Sequence, residues 1–98
     1  MSLKIEWSPR SEKEYLNLID YLLKEWGEKS ATKFSDRLQN VLSDISKKPQ
    51  IYPSTERRKD VRRCVVSKQI SLYYRIKKDR IEIITLFDNR QSPSKRKL

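Results

Sequence analysis

Arginine, lysine and tyrosine side chains in the second half of the chain are the residues best suited to chemistry on nucleic acid. Arginine forks bind phosphate bidentately, and a tyrosine ring can stack on a base. Cleavage of RNA through its 2′-hydroxyl needs a base, an acid and stabilisation of the phosphate. The chain has no histidine to serve as the base or the acid. In a nuclease those roles would fall to Arg62, Lys68, Tyr73 and Arg90.

The net charge of +10 lies entirely in residues 57–98. Residues 1–56 carry nine Lys+Arg against nine Asp+Glu, whereas residues 57–98 carry fourteen against four. A one-sided field of this kind attracts polyanions or acidic protein partners, and the alternative is a solvated basic surface. The candidate contacts to a target or nucleic acid are Arg62, Arg63, Tyr73, Arg75, Arg90 and Lys95.

Several functional classes are excluded by composition. With no histidine and one cysteine, the chain has no histidine-based triad, no disulfide and no cysteine zinc site, and one glycine cannot form a phosphate-binding loop. We expect no metal and no cofactor. Asp88 is interpreted as an Asx turn or an ion pair with Arg90. The absence of a long apolar run or a signal peptide predicts no membrane insertion, and unpaired Cys64 favours a cytoplasmic location.

The elements that must position these residues begin with a strand and a helix. Alternation of apolar and charged residues predicts a strand over residues 3–7. Ser8 followed by Pro9 predicts the start of a helix, and a capping box of Ser11 with Glu14 is the alternative start.

Two helical stripes follow, separated by the only glycine. Gly27 ends the first helix and Pro49 ends the second, so the short connection predicts an antiparallel helical hairpin. The predicted buried positions of the first helix are Tyr15, Leu18, Ile19, Leu22, Leu23 and Trp26, and those of the second are Ala31, Phe34, Leu38, Val41, Leu42 and Ile45. We also expect Trp7 in the core.

Three strands are predicted after a polar loop over residues 49–60. They span residues 61–67, 70–76 and 81–87, and the last has the composition of a central strand. The order β-α-α-β-β-β indicates a single α+β domain over residues 1–98, with the helical hairpin on one face of a small, mainly antiparallel sheet and a basic, loose tail from about residue 89. The first strand inserts beside one of the last three.

The opposite sheet face is predicted to carry Tyr73 and Arg75. If the helices cover Ile70 and its alternating neighbours, the preceding strand adds either Arg62 or Arg63 to that opposite face, depending on register. Such a face suits RNA, and the alternative is a half-exposed sheet whose arginine stems cover apolar surface. Cys64 is interpreted as a buried small apolar residue.

The pattern over nearly the whole chain resembles the RelE/ParE superfamily of bacterial type II toxin–antitoxin toxins. The opening IEWSPRSEKEYLNLIDYLLKEWGEKSATKF is similar to the ParE-type strand, Ser-Pro start and helix closing at Trp-Gly. Pro49 corresponds to the proline that follows the second helix in this superfamily. VRRCVVSKQISLYYRI resembles the family's arginine-rich strand and the strand ending in Tyr-Arg, and IEIITLFDNRQSPSK resembles its closing strand and tail.

The resemblance implies a growth-inhibiting toxin neutralised by a cognate antitoxin. ParE-type members act on DNA gyrase, and such pairs are associated with plasmid stabilisation; RelE-type members are ribosome-dependent, metal-independent mRNA endonucleases. Arg62 and Arg90 match two nuclease positions, whereas Cys64 and Ser71 stand where further basic residues are expected. Together with the long paired helices, this favours a ParE-like, non-enzymatic gyrase inhibitor.

The alternatives remain a RelE-like nuclease acting on mRNA at the ribosome and a non-toxic basic module that binds nucleic acid. The expected assembly is either a homodimer or a toxin–antitoxin hetero-oligomer.

Overall fold

A computed structural model describes residues 2–90. Its elements are β1 (Lys4–Trp7), α1 (Pro9–Glu25), α2 (Glu28–Lys47), β2 (Arg62–Val65), β3 (Ile70–Ile76) and β4 (Arg80–Asp88). The predicted order of elements is confirmed. The strand β2 is shorter than predicted, because the Val66 and Ser67 N–H groups both donate to the Ile70 carbonyl and close the turn to β3.

The four strands form one mixed sheet in the order β1-β4-β3-β2. The strand β4 is central, as predicted, and pairs antiparallel with β3, which in turn pairs antiparallel with β2. The first strand inserts beside β4 and runs parallel to it, with Trp7 opposite Ile83. A parallel neighbour requires a long crossover connection, which the two helices and the β2–β3 hairpin supply.

The helix α1 begins at the predicted Ser8-Pro9 start. The Ser11 N–H donates to Ser8 Oγ at 3.1 Å, which makes Ser8 the N-cap. The alternative capping box of Ser11 and Glu14 is wrong, because both side chains bond to strand β4 instead.

Gly27 separates the helices with a φ of +94°. Its N–H donates to the Leu22 carbonyl at 2.9 Å, and its own carbonyl accepts from Ala31 in the first turn of α2. A residue with a Cβ is strained at this positive φ, so glycine allows the sharp reversal of the hairpin.

The main core lies between the helices and the predicted sheet face. Leu38 and Ile45 of α2 are fully buried against that face, whose buried members are Cys64, Ile70, Leu72, Tyr74, Ile81, Ile83 and Leu86. The helix α1 adds only partly buried residues, and Trp7 packs on this cluster with its ring centroid 5.5 Å from that of Tyr15.

Trp26 and Leu23 do not belong to the core, so the prediction that both are buried is wrong. Trp26 is 68% exposed and Leu23 is 45% exposed. Trp26 lies at the end of α1, where the helix borders an open groove instead of packing on the sheet. No helix within residues 2–90 is long and apolar enough to cross a membrane.

Candidate functional site

Strand register places the two neighbouring arginines of β2 on opposite faces of the sheet. Arg62 lies opposite Tyr74, which faces the helices, and Arg63 lies opposite Tyr73, which faces away. The Arg62 guanidinium donates to the Tyr52 carbonyl at 2.6 Å. Arg63 donates to Ser71 Oγ at 3.1 Å. The structure therefore has the register in which Arg63, and not Arg62, lies on the sheet face that points away from the helices. We call this the outer face.

Tyr73 is not presented on an open sheet face, and that prediction is wrong. Its side chain is fully buried beneath Val61 and Phe87, with Ile84 packed beside them. These residues form a second apolar cluster on the outer face, because Val61 precedes β2 and lies against the sheet. A ring buried in this way cannot stack on a base.

The remaining cations of the outer face are held in ion pairs. Arg75 lies 2.8 Å from Glu82 and 3.6 Å from Asp60, and Lys77 lies 3.6 Å from Glu82. Burial acts to raise the pKa of the Glu82 carboxyl, but the hydrogen bond and charge of Arg75, together with Lys77, outweigh it and hold that pKa below its ordinary 4.5. Much of the positive charge on this face is therefore matched by carboxylates.

These pairs predict that stability falls at acid pH. A carboxyl whose pKa is lowered by folding contributes stability that is present above its unfolded pKa and lost as the pH falls through its folded pKa. For Glu82 the loss begins near pH 4.5 and continues below it. Urea unfolding of the wild type and of Glu82→Gln across that window should show a shallower pH slope in the variant. Exposed Glu56→Gln is the control, and equal slopes for Glu82→Gln and wild type would contradict the assignment.

Arg90 follows the end of β4 and is fixed by Asp88. The Arg90 N–H donates to Asp88 Oδ1 at 2.9 Å, and the guanidinium donates to Oδ2 at 2.6 Å. Both sequence interpretations of Asp88, an Asx turn and an ion pair, are confirmed together. The hydrogen bond from Arg90 lowers the pKa of the Asp88 carboxyl. Arg90 and Tyr21 of α1 border the same concave surface.

The four candidate nuclease residues do not form one cluster. Arg62 is opposite Tyr74, whereas Arg90 follows Asp88, which pairs with Ile70. Four residues of strand separate Ile70 from Tyr74, or about 13 Å. Tyr73 is buried on the other face, and Lys68 is exposed in the turn between β2 and β3. Lys95 and the rest of the tail beyond Arg90 lie outside the described residues.

A groove of about 360 Å³ lies between the two helices and the β2–β3 turn. We call it the helix groove. Its apolar members are Leu18, Tyr21, Leu22, Trp26, Phe34 and Ile70, and its polar and charged members are Ser30, Lys33, Arg37, Ser67, Gln69 and Arg90. The sequence did not reveal this groove. The periodicity of α1 shows which of its residues share a face, but it does not show how far along the helix that face is covered by the sheet.

The chemistry of the helix groove suits an acidic segment with apolar anchors. Tyr21 and Trp26 are 46% and 68% exposed, although they border an apolar floor. Within residues 2–90 neither Lys33 nor Arg37 forms an ion pair. Exposed aromatic residues beside unpaired cations are typical of protein interfaces, where the aromatic side chains act as anchors and the charges give orientation.

An irregularity in β4 is held by polar side chains of α1. The register of β3 and β4 shifts between Tyr73 and Tyr74, so Ile84 is an extra residue in β4. We call Ser8, Ser11 and Glu14 the edge row. Ser11 Oγ donates to the Ile83 carbonyl at 3.1 Å, and Ser8 Oγ donates to the Ile84 carbonyl at 3.0 Å.

Glu14 completes the edge row. Its Oε1 accepts from Thr85 Oγ1 at 2.7 Å and from the Leu86 N–H at 3.2 Å. The edge row therefore extends the hydrogen bonding of β4 beyond the end of β1 and fixes the strand that ends at Asp88, two residues before Arg90. A sequence signal existed, because Ser11 lies on the otherwise apolar face of α1 with Tyr15 and Leu18.

The only cysteine lies in a cluster that is not reactive. Burial raises the pKa of the Cys64 thiol, and its hydrogen bond with Tyr52 raises the pKa of that phenol to about 12. Burial also raises the pKa of Tyr74 to about 12, and its hydroxyl donates to the Pro49 carbonyl at 2.8 Å. All three groups stay protonated at neutral pH. No three metal-binding side chains come together within residues 2–90.

Comparison with known proteins gives one family match. A sequence model of the family described as "ParE toxin of type II toxin-antitoxin system, parDE" matches residues 5–93. No curated protein sequence matches the chain.

Several solved structures share the fold at low identity. One from the chromosomal ParDE toxin–antitoxin system of P. aeruginosa has a TM-score of 0.74 and 15% identity, over 89% of this chain and 96% of that chain. A YoeB/ParE toxin from Agrobacterium tumefaciens has a TM-score of 0.65 and 12% identity, over 88% and 98%. A chain of the E. coli DinJ-YafQ toxin-antitoxin complex has a TM-score of 0.61 and 13% identity, over 92% and 96%.

Proposed function

Because the chain belongs to the ParE toxin family of type II toxin–antitoxin systems, we propose that it arrests growth by binding DNA gyrase. In this proposal it acts in the cytoplasm as a binding protein and not as an enzyme. A cognate antitoxin neutralises it by placing an acidic, apolar segment in the helix groove.

We choose gyrase over the ribosome because the candidate nuclease residues lie apart from one another. A ribosome-dependent nuclease needs its base, acid and phosphate-binding groups around one phosphate. Here Arg62 donates to the Tyr52 carbonyl and Tyr73 is buried on the opposite face from the helices. The fold itself does not separate the two activities, because YoeB- and YafQ-named toxins share it.

The non-toxic, nucleic-acid-binding alternative is weakened by the ion pairs of the outer face. Phosphate binding depends on cations that are free to replace condensed counterions. Arg75 and Lys77 already lie against Glu82, so this face offers fewer such cations than the net charge of +10 suggests.

Antitoxin docking in the helix groove follows from the composition of its walls. A disordered segment that folds on binding can place apolar side chains on Leu18 and Leu22 while its carboxylates face Lys33 and Arg37. Binding of such a segment to the folded chain raises its melting temperature by mass action.

Supercoiling by purified gyrase tests the target. We expect the purified chain to inhibit supercoiling of relaxed plasmid, and the same chain saturated with antitoxin to leave it unchanged. If a large excess of toxin leaves supercoiling intact while mRNA on programmed ribosomes is cut, the RelE-like alternative is correct.

A further inference from the structure

The Arg63 guanidinium is oriented on the outer face by two polar neighbours. Its Nε donates to Ser71 Oγ at 3.1 Å, and its Nη2 donates to Asn89 Oδ1 at 3.4 Å. Ser71 in turn donates to Asn89 Oδ1 at 3.0 Å, and the Ser71 side chain is fully buried. Because Ser71 belongs to β3 and Asn89 follows β4, neighbouring strands fix the position of an arginine that β2 carries.

No carboxylate balances the charge of Arg63. Within residues 2–90 it forms no ion pair, and its remaining N–H groups on Nη1 and Nη2 have no acceptor. Arg75, by contrast, lies 2.8 Å from Glu82 on the same face. An arginine that is already oriented loses little side-chain freedom on binding, and its planar guanidinium matches the two oxygens of a carboxylate. Arg63 is therefore suited to bind a carboxylate from outside the chain.

Val65 places apolar surface beside this arginine. It follows Arg63 by two residues on the same face of β2, and its side chain is 57% exposed. We call these two residues the Arg63 surface. A nucleic acid would require several free cations on this face. A single oriented arginine next to exposed apolar surface is instead typical of the centre of a protein–protein interface.

We infer that the Arg63 surface is where this chain contacts its protein target, and that the target presents a carboxylate beside an apolar side chain. The inference rests on the proposed function, in which the target is gyrase. The Arg63 surface is distinct from the helix groove proposed for the antitoxin, because neither Arg63 nor Val65 lines that groove.

The two surfaces meet at one end of the sheet. Gln69 and Arg90 line the helix groove. Asn89, which binds Arg63, directly precedes Arg90 and donates its N–H to the Gln69 carbonyl at 2.7 Å. A segment in the groove therefore lies next to the residue that orients Arg63, and its bulk excludes a large target from the Arg63 surface. Antitoxin in the groove can neutralise the chain in this way without covering Arg63 itself.

Supercoiling by purified gyrase in the presence of Arg63→Glu tests the inference. Half-maximal inhibition should require at least about tenfold more of this variant than of the wild type. The rise in melting temperature on adding antitoxin should stay at its wild-type value, because the helix groove is unchanged. Arg57→Glu is the matched control, since Arg57 is exposed in the loop before β2 and does not line the groove.

Val65→Asp tests the same surface without removing the arginine. The new carboxylate lies two residues from Arg63 on the same face, so it should compete with the target for the guanidinium and weaken inhibition. Arg63→Lys keeps the charge but loses the planar guanidinium, and it should recover only part of the inhibition. Thermal melts of the free variants check that the fold is kept.

The outcomes separate this inference from the proposed function. Full inhibition by Arg63→Glu, or an equal loss with Arg57→Glu, overturns the Arg63 surface and leaves gyrase as the target. A parallel loss of antitoxin binding in Arg63→Glu also overturns it. If the wild type arrests growth but does not inhibit gyrase, the gyrase proposal is wrong, and growth arrest by the same variants decides on the Arg63 surface. A wild type that does neither overturns both.

Discussion

Replacing Lys33 and Arg37 by glutamate is expected to weaken antitoxin binding by about 100-fold, or about 2.8 kcal/mol. The two cations lie four residues apart on α2 and border the helix groove. Charge reversal turns attraction for the acidic segment into repulsion at two positions. Because both side chains are exposed and form no ion pair within residues 2–90, the fold should remain intact.

The measurement is the rise in melting temperature when antitoxin is added, supported by direct titration. Lys59→Glu with Lys78→Glu is the matched control, since both lysines are exposed and neither borders the helix groove. The control changes net charge by the same amount, so a general electrostatic effect would weaken both double variants equally. Equal weakening would remove the helix groove as the docking site and leave the family assignment untouched.

Removal of the Glu14 carboxylate is expected to destabilise the chain by about 2 kcal/mol. Glu14→Ala leaves the fully buried Thr85 hydroxyl and the Leu86 N–H without the acceptor they share. An unsatisfied buried donor costs its full desolvation, which exceeds the net value of an ordinary hydrogen bond. This part of β4, which includes the extra residue Ile84, would then lose some of the hydrogen bonds that the edge row supplies where no strand is paired with it.

Urea unfolding measures this effect, with Glu14→Gln and Glu12→Ala as controls. Glutamine keeps an acceptor oxygen at the same position and should recover part of the stability. Glu12 is exposed in the first turn of α1, and its truncation should change the free energy of unfolding by less than about 0.5 kcal/mol. If Glu14→Ala and Glu12→Ala are equally mild, the edge row does not support β4.

Local patterns predicted the elements because each depends on neighbouring residues. The Ser8-Pro9 start, the reversal at Gly27 and the stop at Pro49 follow from backbone rules, and the observed helices begin and end there. The face of β3 that contains Leu72 and Tyr74 was predicted from alternation alone and is the face that the helices cover.

Features that depend on distant segments could not be predicted in this way. Tyr73 is buried because Val61 and Phe87 meet over it, and its own strand alternation gives no sign of that cover. The extra residue at Ile84 depends on the register of two strands and on side chains of α1. The exposure of Trp26 depends on how far the end of α1 extends along an open groove.

The same distinction applies to the candidate site. Strand alternation predicts that Arg62 and Arg63 lie on opposite faces of the sheet, but only the register shows that Arg63 is on the outer face. Arg90 was placed after the last strand, and its pairing with Asp88 follows from their spacing of two residues. The helix groove is lined by residues of α1, α2 and the β2–β3 turn. Because these segments are distant in sequence, no local sequence pattern predicts the groove.

Pulse labelling of DNA and protein synthesis in the first minutes after induced expression in a bacterium tests the proposed target most directly. A gyrase-directed toxin predicts that incorporation of labelled thymidine stops first while incorporation of labelled amino acids continues. Co-expression of the antitoxin should abolish the effect. If protein synthesis stops first, the chain acts on translation, and the gyrase proposal is wrong.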